Sequence, residues 1–393
     1  AHRTSPTNIG LYLLSVACAR QFGWIGTVEL LARLEATLGT LGRLQRHRGH
    51  LLNWYDTETL APLLPMYVST VDSGNLSVHL LALAQACRAL AQNPYDQRAT
   101  QQALQHCRRR LAPLLAQRAT LPTEQRQALR WQLADYRATR RAARLDSDAS
   151  TLERAAGAPR AGTRLQALAR ECERLAFLPD FSFLFHRKRH LLHIGYRVAE
   201  QQLDASFYDL LASEARLTSL LAIAKGDVPV RHWASLGRPF YALGAKAGLR
   251  SWSGSMFEYL MPCLVLDEPR GSVLRNACQV ALREQIAFAR SHGVPWGISE
   301  SAYSGRDHTL AYQYAPQGVP RSALRRTPPD EMVVAPYATA LAAQLDPHAA
   351  SANLQALEQL VPRARYGLVE ALDFTPGRQD GLAPFTAVST FMS

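Results

Sequence analysis

The chain has 393 residues, 47% hydrophobic and 19% charged, which is enough apolar side chain for a large core and too little charge for a long solvated tail. Its net charge of +12 raises nucleic acid as a partner, but no binding motif accompanies the basic runs between Arg88 and Arg197. Interleaved acids break those runs, which read as a solvated helical face rather than a nucleic-acid surface.

Arginine supplies nearly all of the positive charge, Lys188, Lys225 and Lys246 being the only lysines. The six cysteines are scattered without metal-ligand spacing, so neither metal nor organic cofactor is expected, and the thiols are expected to be reduced and mostly buried. No apolar run reaches the length of about 18 residues that a membrane span needs, and no basic-then-apolar secretion signal opens the chain. A soluble segment is expected.

From Thr4 to about Leu83, helices alternate with polar, aromatic loops. SPTNIGLYLLSVACA opens a helix that Ser5 or Thr7 can cap, and leucines at three- and four-residue intervals predict a second helix from Thr27 to about Arg46. NWYDTETLAPLLP and VSTVDSGN put Trp54, Tyr55, Asp56, Asp72 and Asn75 on loops flanked by proline. Residues 84–178 shift to Ala, Arg, Gln and Leu, the composition of long amphipathic helices, with no evident chemistry. A β-hairpin around a basic turn follows in LPDFSFLFHRKRHLLHIGYRVAEQQLD. From Ala205 onward, helices of ten to eighteen residues are expected to alternate with Gly-, Pro-, Trp- and Tyr-bearing loops, suggesting a toroid of helices.

The stretch from Trp252 to Ala302 sets Glu258 and Glu300 among aromatics and small residues. Sugars offer apolar C–H faces that stack on Trp and Tyr, and paired carboxyl groups break glycosidic bonds, so the pattern reads as a carbohydrate cleft. Glu214 falls on an apolar Leu210, Leu217, Leu221 stripe in a helix expected from about Ser206. Burial there would raise its pKa toward that of a general acid, or Arg216 or Arg250 would pair with it structurally. Ser255-Met-Phe-Glu258 fits a capping box, which competes with a substrate contact for Glu258. Glu300 follows Pro295 and Gly297 and precedes Tyr303 and Gly305, in a loop facing a cleft or at a helix N-terminus. Trp252, Tyr303, Tyr312, Tyr314 and Tyr337 are candidate stacking residues, against the plainer reading of core aromatics.

SPTNIGLYLL, RHRGHLLNWYDTETL with VDSGNL, DASFYDLLASEARLTSLLAIAKGDVP, WSGSMFEYLMP, VPWGISESAYS, YQY and VVAPYATALA occur in this order. Together they resemble the middle, glucoamylase-like part of cyclic β-1,2-glucan synthase, over nearly the whole chain except about residues 84–178. The resemblance implies an all-α (α/α)6 barrel over residues 4–393, with a helical insert at 84–178 and a small β-hairpin. It implies an enzyme that cuts linear β-1,2-glucan and rejoins the ends into a ring by retaining transglycosylation. Glu214 would be the acid/base and Glu300 the nucleophile. Glu258 and Asp373 would bind or orient substrate, and Asp56, Asp72 and Asn75, with Trp54 and Tyr55, would contribute to subsites. Neighbouring glycosyltransferase and phosphorylase-like domains of one polypeptide, at the cytoplasmic side of an inner membrane, are the implied setting.

The hairpin is more basic than in that family. The sequence also ends just before the point where relatives carry a His-His-Gln-Gly stretch, so an excised domain lacking a closing helix is expected. An endo-β-1,2-glucanase and a catalytically silent glucan-holding module stand as alternatives. A retaining enzyme needs its two carboxyl groups about 5–5.5 Å apart and an inverting one about 6.5–9.5 Å.

Overall fold

The computed structural model describes residues 2–157, 160–244, 246–328, 330–379 and 383–389. They form two compact units. The first comprises the chain up to Phe185 with Ile194–Ala205 and Ala224–Val228, and the second His186–His193, Ser206–Ile223 and the chain from Pro229 onward.

The first unit is built on α1 (Pro6–Gln21), α2 (Thr27–Leu41), α3 (Thr70–Gln92), α4 (Arg98–Ala116), α5 (Thr123–Ala155) and α6 (Arg160–Ala176). α3 lies against α1 and α6, and α2 packs on α1 and α6, around Leu13, Leu30, Leu34, Leu83 and Leu165, all fully buried. Ser5 begins α1 by accepting the Asn8 amide at 3.2 Å, with Pro6 at the first helical position. α2 starts at a glycine, which has no side chain to cap with. Asp146 of α5 does that work, accepting the Thr27 and Val28 amides at 2.7 and 3.0 Å. A Cβ on Gly26 would come within 2.5 Å of the Asp146 carboxylate, so only glycine leaves it room.

Two expectations for this unit are corrected. α2 ends at Leu41 rather than near Arg46, because Arg46–His47 turns back on His50–Leu51 as a tight hairpin through Arg48 and Gly49, both at positive φ. Asp72 and Asn75 lie in α3, not on a loop, since Ser69 accepts the Asp72 amide at 3.2 Å and opens the helix at VDSGN. Residues 84–178 form the long helices expected of them. α4 and α5 pair around a small core of their own, Leu111, Leu121 and Leu129.

The second unit contains α7 (Arg216–Lys225), α8 (Arg231–Ser235), α9 (Met256–Leu260), α10 (Val273–Ser291), α11 (Pro336–Ala342) and α12 (Pro347–Leu360). Only α7, α10 and α12 approach the expected length; α8 and α9 have five residues each and α11 seven. Short antiparallel strands fill the intervals. Phe240–Leu243 pairs with Lys246–Leu249, and Ser301–Arg306 with Tyr312–Ala315. Ala371–Asp373 runs between Val333–Val334 and Thr386–Val388. Such two- to six-residue strands are too short to show period-2 alternation. The main core gathers Met256, Tyr259 and Leu260 of α9, Cys278 and Ala281 of α10, Ala338 of α11 and Ala350 of α12. The basic turn 187–190 is closed by the His190 amide on the His186 carbonyl at 2.8 Å, between strands Phe185–His186 and Leu191–Leu192, as the hairpin reading expects.

All six thiols are free, but only Cys87, Cys172 and Cys278 are buried, fewer than expected. Among the described residues no helix is long and apolar enough to cross a membrane, and no cluster of three or more His, Cys, Asp or Glu could hold a metal ion.

Candidate active site

The second unit brings three sequence-distant segments to one place, and each is pinned by side chains that hold backbone amides. The first is the turn 210–215. α7 begins only at Arg216, so Glu214 is not on a helical stripe as expected; it sits in the turn before the helix, where its carbonyl accepts the Leu217 amide at 3.2 Å. Ser213 takes a left-handed backbone, φ +55°, and its hydroxyl donates to the Glu214 carboxylate. Glu214 is buried. The guanidinium of Arg216 is spent elsewhere, on Glu268 at 3.1 Å and on the Glu258 and Tyr259 carbonyls at 3.0 and 2.7 Å. Arg250 donates to the Arg321 carbonyl.

The second segment is the loop 251–255. Glu258 forms half of the capping box: its amide donates to Ser255 Oγ, but its carboxylate reaches past the N-cap. It accepts the Ser253 amide and hydroxyl at 3.0 and 2.7 Å and the Ser213 amide at 3.2 Å. One buried carboxylate therefore ties loop 251–255 to the residue preceding Glu214. Trp252, on that loop, is 55% exposed and its amide donates to the Leu211 carbonyl. Gly318 completes the packing, since a Cβ there would fall 2.0 Å from the Ser253 carbonyl oxygen.

The third segment is 296–306. Gln285 of α10 clamps Ile298 through both its amide and its carbonyl, at 2.8 and 2.7 Å. Ser299 accepts the Phe257 amide at 3.0 Å, and Tyr337 of α11 donates to the Glu300 carbonyl at 2.8 Å. Glu300 thus stands immediately before the strand Ser301–Arg306, not at a helix N-terminus. The Tyr314 hydroxyl, from the partner strand, hydrogen-bonds to the Glu300 side chain. The Tyr314 phenol is raised above the ordinary tyrosine range by burial first, then by the charge and hydrogen bond of Glu300, with further contributions from Glu370 and Glu214. Burial and Glu300 raise Tyr337 in the same way. Glu214, Glu300 and Glu370 therefore all act electrostatically on the Tyr314 phenol, and Tyr314 as a residue is 43% exposed.

Such an arrangement supplies two carboxyl groups from different segments, a phenolic donor and an exposed indole. That is the equipment for protonating a leaving oxygen, stabilising or attacking an anomeric carbon, and stacking a sugar face.

Residues 206–384 match the family model described as "Putative glucoamylase". Over 96% of its length the chain is 42% identical to cyclic beta-(1,2)-glucan synthase NdvB of Rhizobium meliloti (strain 1021), of which it spans 15%. The chain is homologous to a segment of that synthase. Its fold is shared with two solved endo-β-1,2-glucanases. One, from Chitinophaga pinensis in a sophorotriose and glucose complex, has a TM-score of 0.62 at 12% identity over 95% of this chain and 77% of that one. The other, from Talaromyces funiculosus with β-1,2-glucan, has a TM-score of 0.62 at 13% identity over 98% and 72%. The fold class is the all-α, α/α-barrel type that the resemblance implied.

The remaining expected site residues fall into two groups. In the second unit, Tyr303 lies beneath Arg378 at 4.7 Å and Tyr312 against Arg306 at 4.5 Å. Asp373 has no exposed surface; its carboxylate accepts from Ser304, Thr375 and Arg378 at 2.6–3.0 Å. Burial would raise its pKa, but those hydrogen bonds outweigh burial and hold it below the usual carboxylate range. Asp373 fastens strand Ser301–Arg306 through the Ser304 amide and hydroxyl.

In the first unit, Tyr55 is fully buried, donating to the Gln45 carbonyl at 2.6 Å and accepting from Leu52, so it has no face for stacking. Trp54 stacks on Arg3 at 4.6 Å. Asp56 closes its own turn by accepting the Glu58 and Thr59 amides, which lower its pKa. Asp72 accepts Thr7 Oγ1 at 2.5 Å and is raised by burial, and Asn75 donates to the same Thr7 oxygen at 3.1 Å.

The residue that sequence reasoning missed is Glu370. It is buried and accepts the Ala302 amide at 3.2 Å. It lies in the same EALD stretch that carried Asp373, where two acids three residues apart were the available signal.

Proposed function

We propose that this domain is a glycoside hydrolase-like enzyme that cuts linear β-1,2-glucan and joins the new glycosyl end to the same chain's non-reducing end, giving a cyclic product by retaining transglycosylation. The observation that carries the reading is the Tyr314–Glu300 hydrogen bond and the charge that Glu300, Glu370 and Glu214 all exert on that phenol, together with the 42% identity to a segment of a cyclic glucan synthase. In the first step Glu300 attacks the anomeric carbon while Glu214 gives its proton to the departing glycosidic oxygen. The C–O bond breaks, one chain end leaves as an alcohol, and a glycosyl ester forms on Glu300. In the second step Glu214 takes the proton from a hydroxyl at the glucan's own non-reducing end. That oxygen attacks the anomeric carbon and the Glu300 carboxylate is released. No water is consumed, so water must be kept from the ester while the chain end reaches it. The neighbouring glycosyltransferase and phosphorylase-like domains of a larger polypeptide are the proposed partners.

Glu258 is assigned a positioning role, acting on Glu214 through the Ser213 amide. Tyr314 holds the Glu300 carboxylate and Trp252 offers a stacking face. Hydrolysis as an endo-β-1,2-glucanase is the second reading, favoured by the fold shared with two such enzymes. Incubation with long linear β-1,2-glucan separates the two. Ring products without new reducing ends support cyclisation, whereas accumulating short reducing oligosaccharides contradict it. Retained glucan binding with no turnover, unchanged in Glu300→Gln, identifies a holding module instead.

A further inference from the structure

Residues 98–155 hold twelve arginines against five carboxylates, and so carry seven of the chain's net twelve positive charges. They form the paired helices α4 and α5, whose own small core makes them a helical hairpin. The charge is not spread evenly around α5. At about 100° per residue, Arg126, Arg130, Arg137, Arg141 and Arg144 fall within an arc of about 60°. At a rise of about 1.5 Å per residue the stripe is about 27 Å long. All five side chains are exposed.

Asp148 is the acid on that side, 3.8 Å from Arg144. Asp135, Asp146 and Glu153 project from the opposite side, where Asp146 caps α2 and Glu153 accepts from Tyr95 and the Ala161 amide. Among the described residues, no carboxylate lies within ion-pairing distance of Arg130, Arg137 or Arg141. Beside the stripe, within about 40° more of arc, stand two leucines that helix packing leaves in solvent, Leu145 at 40% and Leu152 at 70% exposure.

We propose that this face of α5 docks the protein onto an anionic lipid bilayer. The five guanidinium groups would meet headgroup phosphates while Leu145 and Leu152 enter the headgroup–acyl boundary. A line of like charges on one side of a straight helix matches a planar anionic surface. The flanking leucines decide between polyanions. A bilayer rewards apolar side chains next to arginine by burying them, whereas a nucleic-acid backbone offers them nothing. The inference does not rest on the glucan chemistry, and its test needs no substrate.

The test is co-sedimentation of the full chain with phosphatidylcholine vesicles, with and without phosphatidylglycerol. Binding is expected only to the phosphatidylglycerol vesicles, and it should vanish in high salt as screening shortens the reach of the charges. R130Q/R137Q/R141Q should lower partitioning about 100-fold, each arginine contributing roughly a factor of five. L145S/L152S, which keeps the charge, should lower it about tenfold. Because every substituted side chain is exposed, circular dichroism and the melting midpoint should stay at wild-type values. If the triple variant misfolds, the leucine pair and the wild-type salt titration still decide. Equal partitioning onto pure phosphatidylcholine, absence of binding, indifference to both variants, or displacement from vesicles by a single-stranded RNA oligonucleotide would each overturn the proposal.

Discussion

The helices around α3 and the turns around Tyr314 are ordered by opposite means. In the first, Leu13, Leu30, Leu34, Leu83 and Leu165 are removed from water and the helices follow from that burial. In the second, short elements and turns are held by buried polar groups bonding to backbone: Glu258 on Ser213 and Ser253, Gln285 on Ile298, Glu370 on Ala302, Asp373 on Thr375. Apolar burial is non-directional and tolerates small shifts, whereas a carboxylate accepting an amide fixes a peptide plane. The difference suits a scaffold on one side and chemistry on the other.

The sharpest way to test that division is to change the proposed reacting groups. Glu300→Gln and Glu214→Gln should each cut turnover of β-1,2-glucan at least about 1,000-fold, with a melting midpoint close to wild type. A loss under tenfold for either would remove it from the chemistry. In the helical unit the reverse is expected. Leu34→Ala should lower unfolding free energy by about 3 kcal/mol, read by denaturant titration, while kcat at low temperature holds.

The helical unit also has a pH signature. His50 is buried, accepting from Ser73 at 2.9 Å and donating to the Asp180 carbonyl at 2.7 Å, and burial pushes its pKa down to about 4. The unfolded chain, near pH 6.5, binds the proton first, so acidification favours unfolding. Stability is complete above pH 6.5 and should fall by about 3 kcal/mol as pH drops to about 4; His50→Asn should flatten that slope. The smallest of these effects is Glu258→Gln. It should cost about 100-fold in kcat with little change in KM, and shift the acidic limb of the pH profile, because Glu214 loses its fixed orientation. An unchanged pH profile would mean that the Glu258 carboxylate only fastens loop 251–255.

The same contrast explains what was legible in advance. α1, α2 and the helices between residues 84 and 178 announce themselves by leucine spacing and composition, since a long helix repeats its signal every turn. α9 and the strands near Glu300 are too short to repeat anything. The spacing of Leu210, Leu217 and Leu221 predicts a helical stripe that includes Glu214, and all three leucines are indeed buried. The turn at Ser213 breaks the helix without a glycine or proline to mark it. Asp72 was missed as a helical residue although Ser69-Thr70-Val71-Asp72 has the spacing of a cap. For Asp373 the resemblance implies binding or orienting substrate, and its partners in the structure, Ser304, Thr375 and Arg378, include one from a distant strand. Glu214, Glu258 and Glu300 are readable from the chain; Glu370, and what these acids hold, are not.

Ser213 is the sole non-glycine residue at positive φ between Gln201 and Leu310 among the described residues. A β-branched substitute there would resist the left-handed conformation and rotate the peptide that precedes Glu214. Divergence at this position is therefore confined to residues that tolerate such a backbone, glycine or asparagine above all, and a single torsion becomes the narrowest constraint on how this loop evolves.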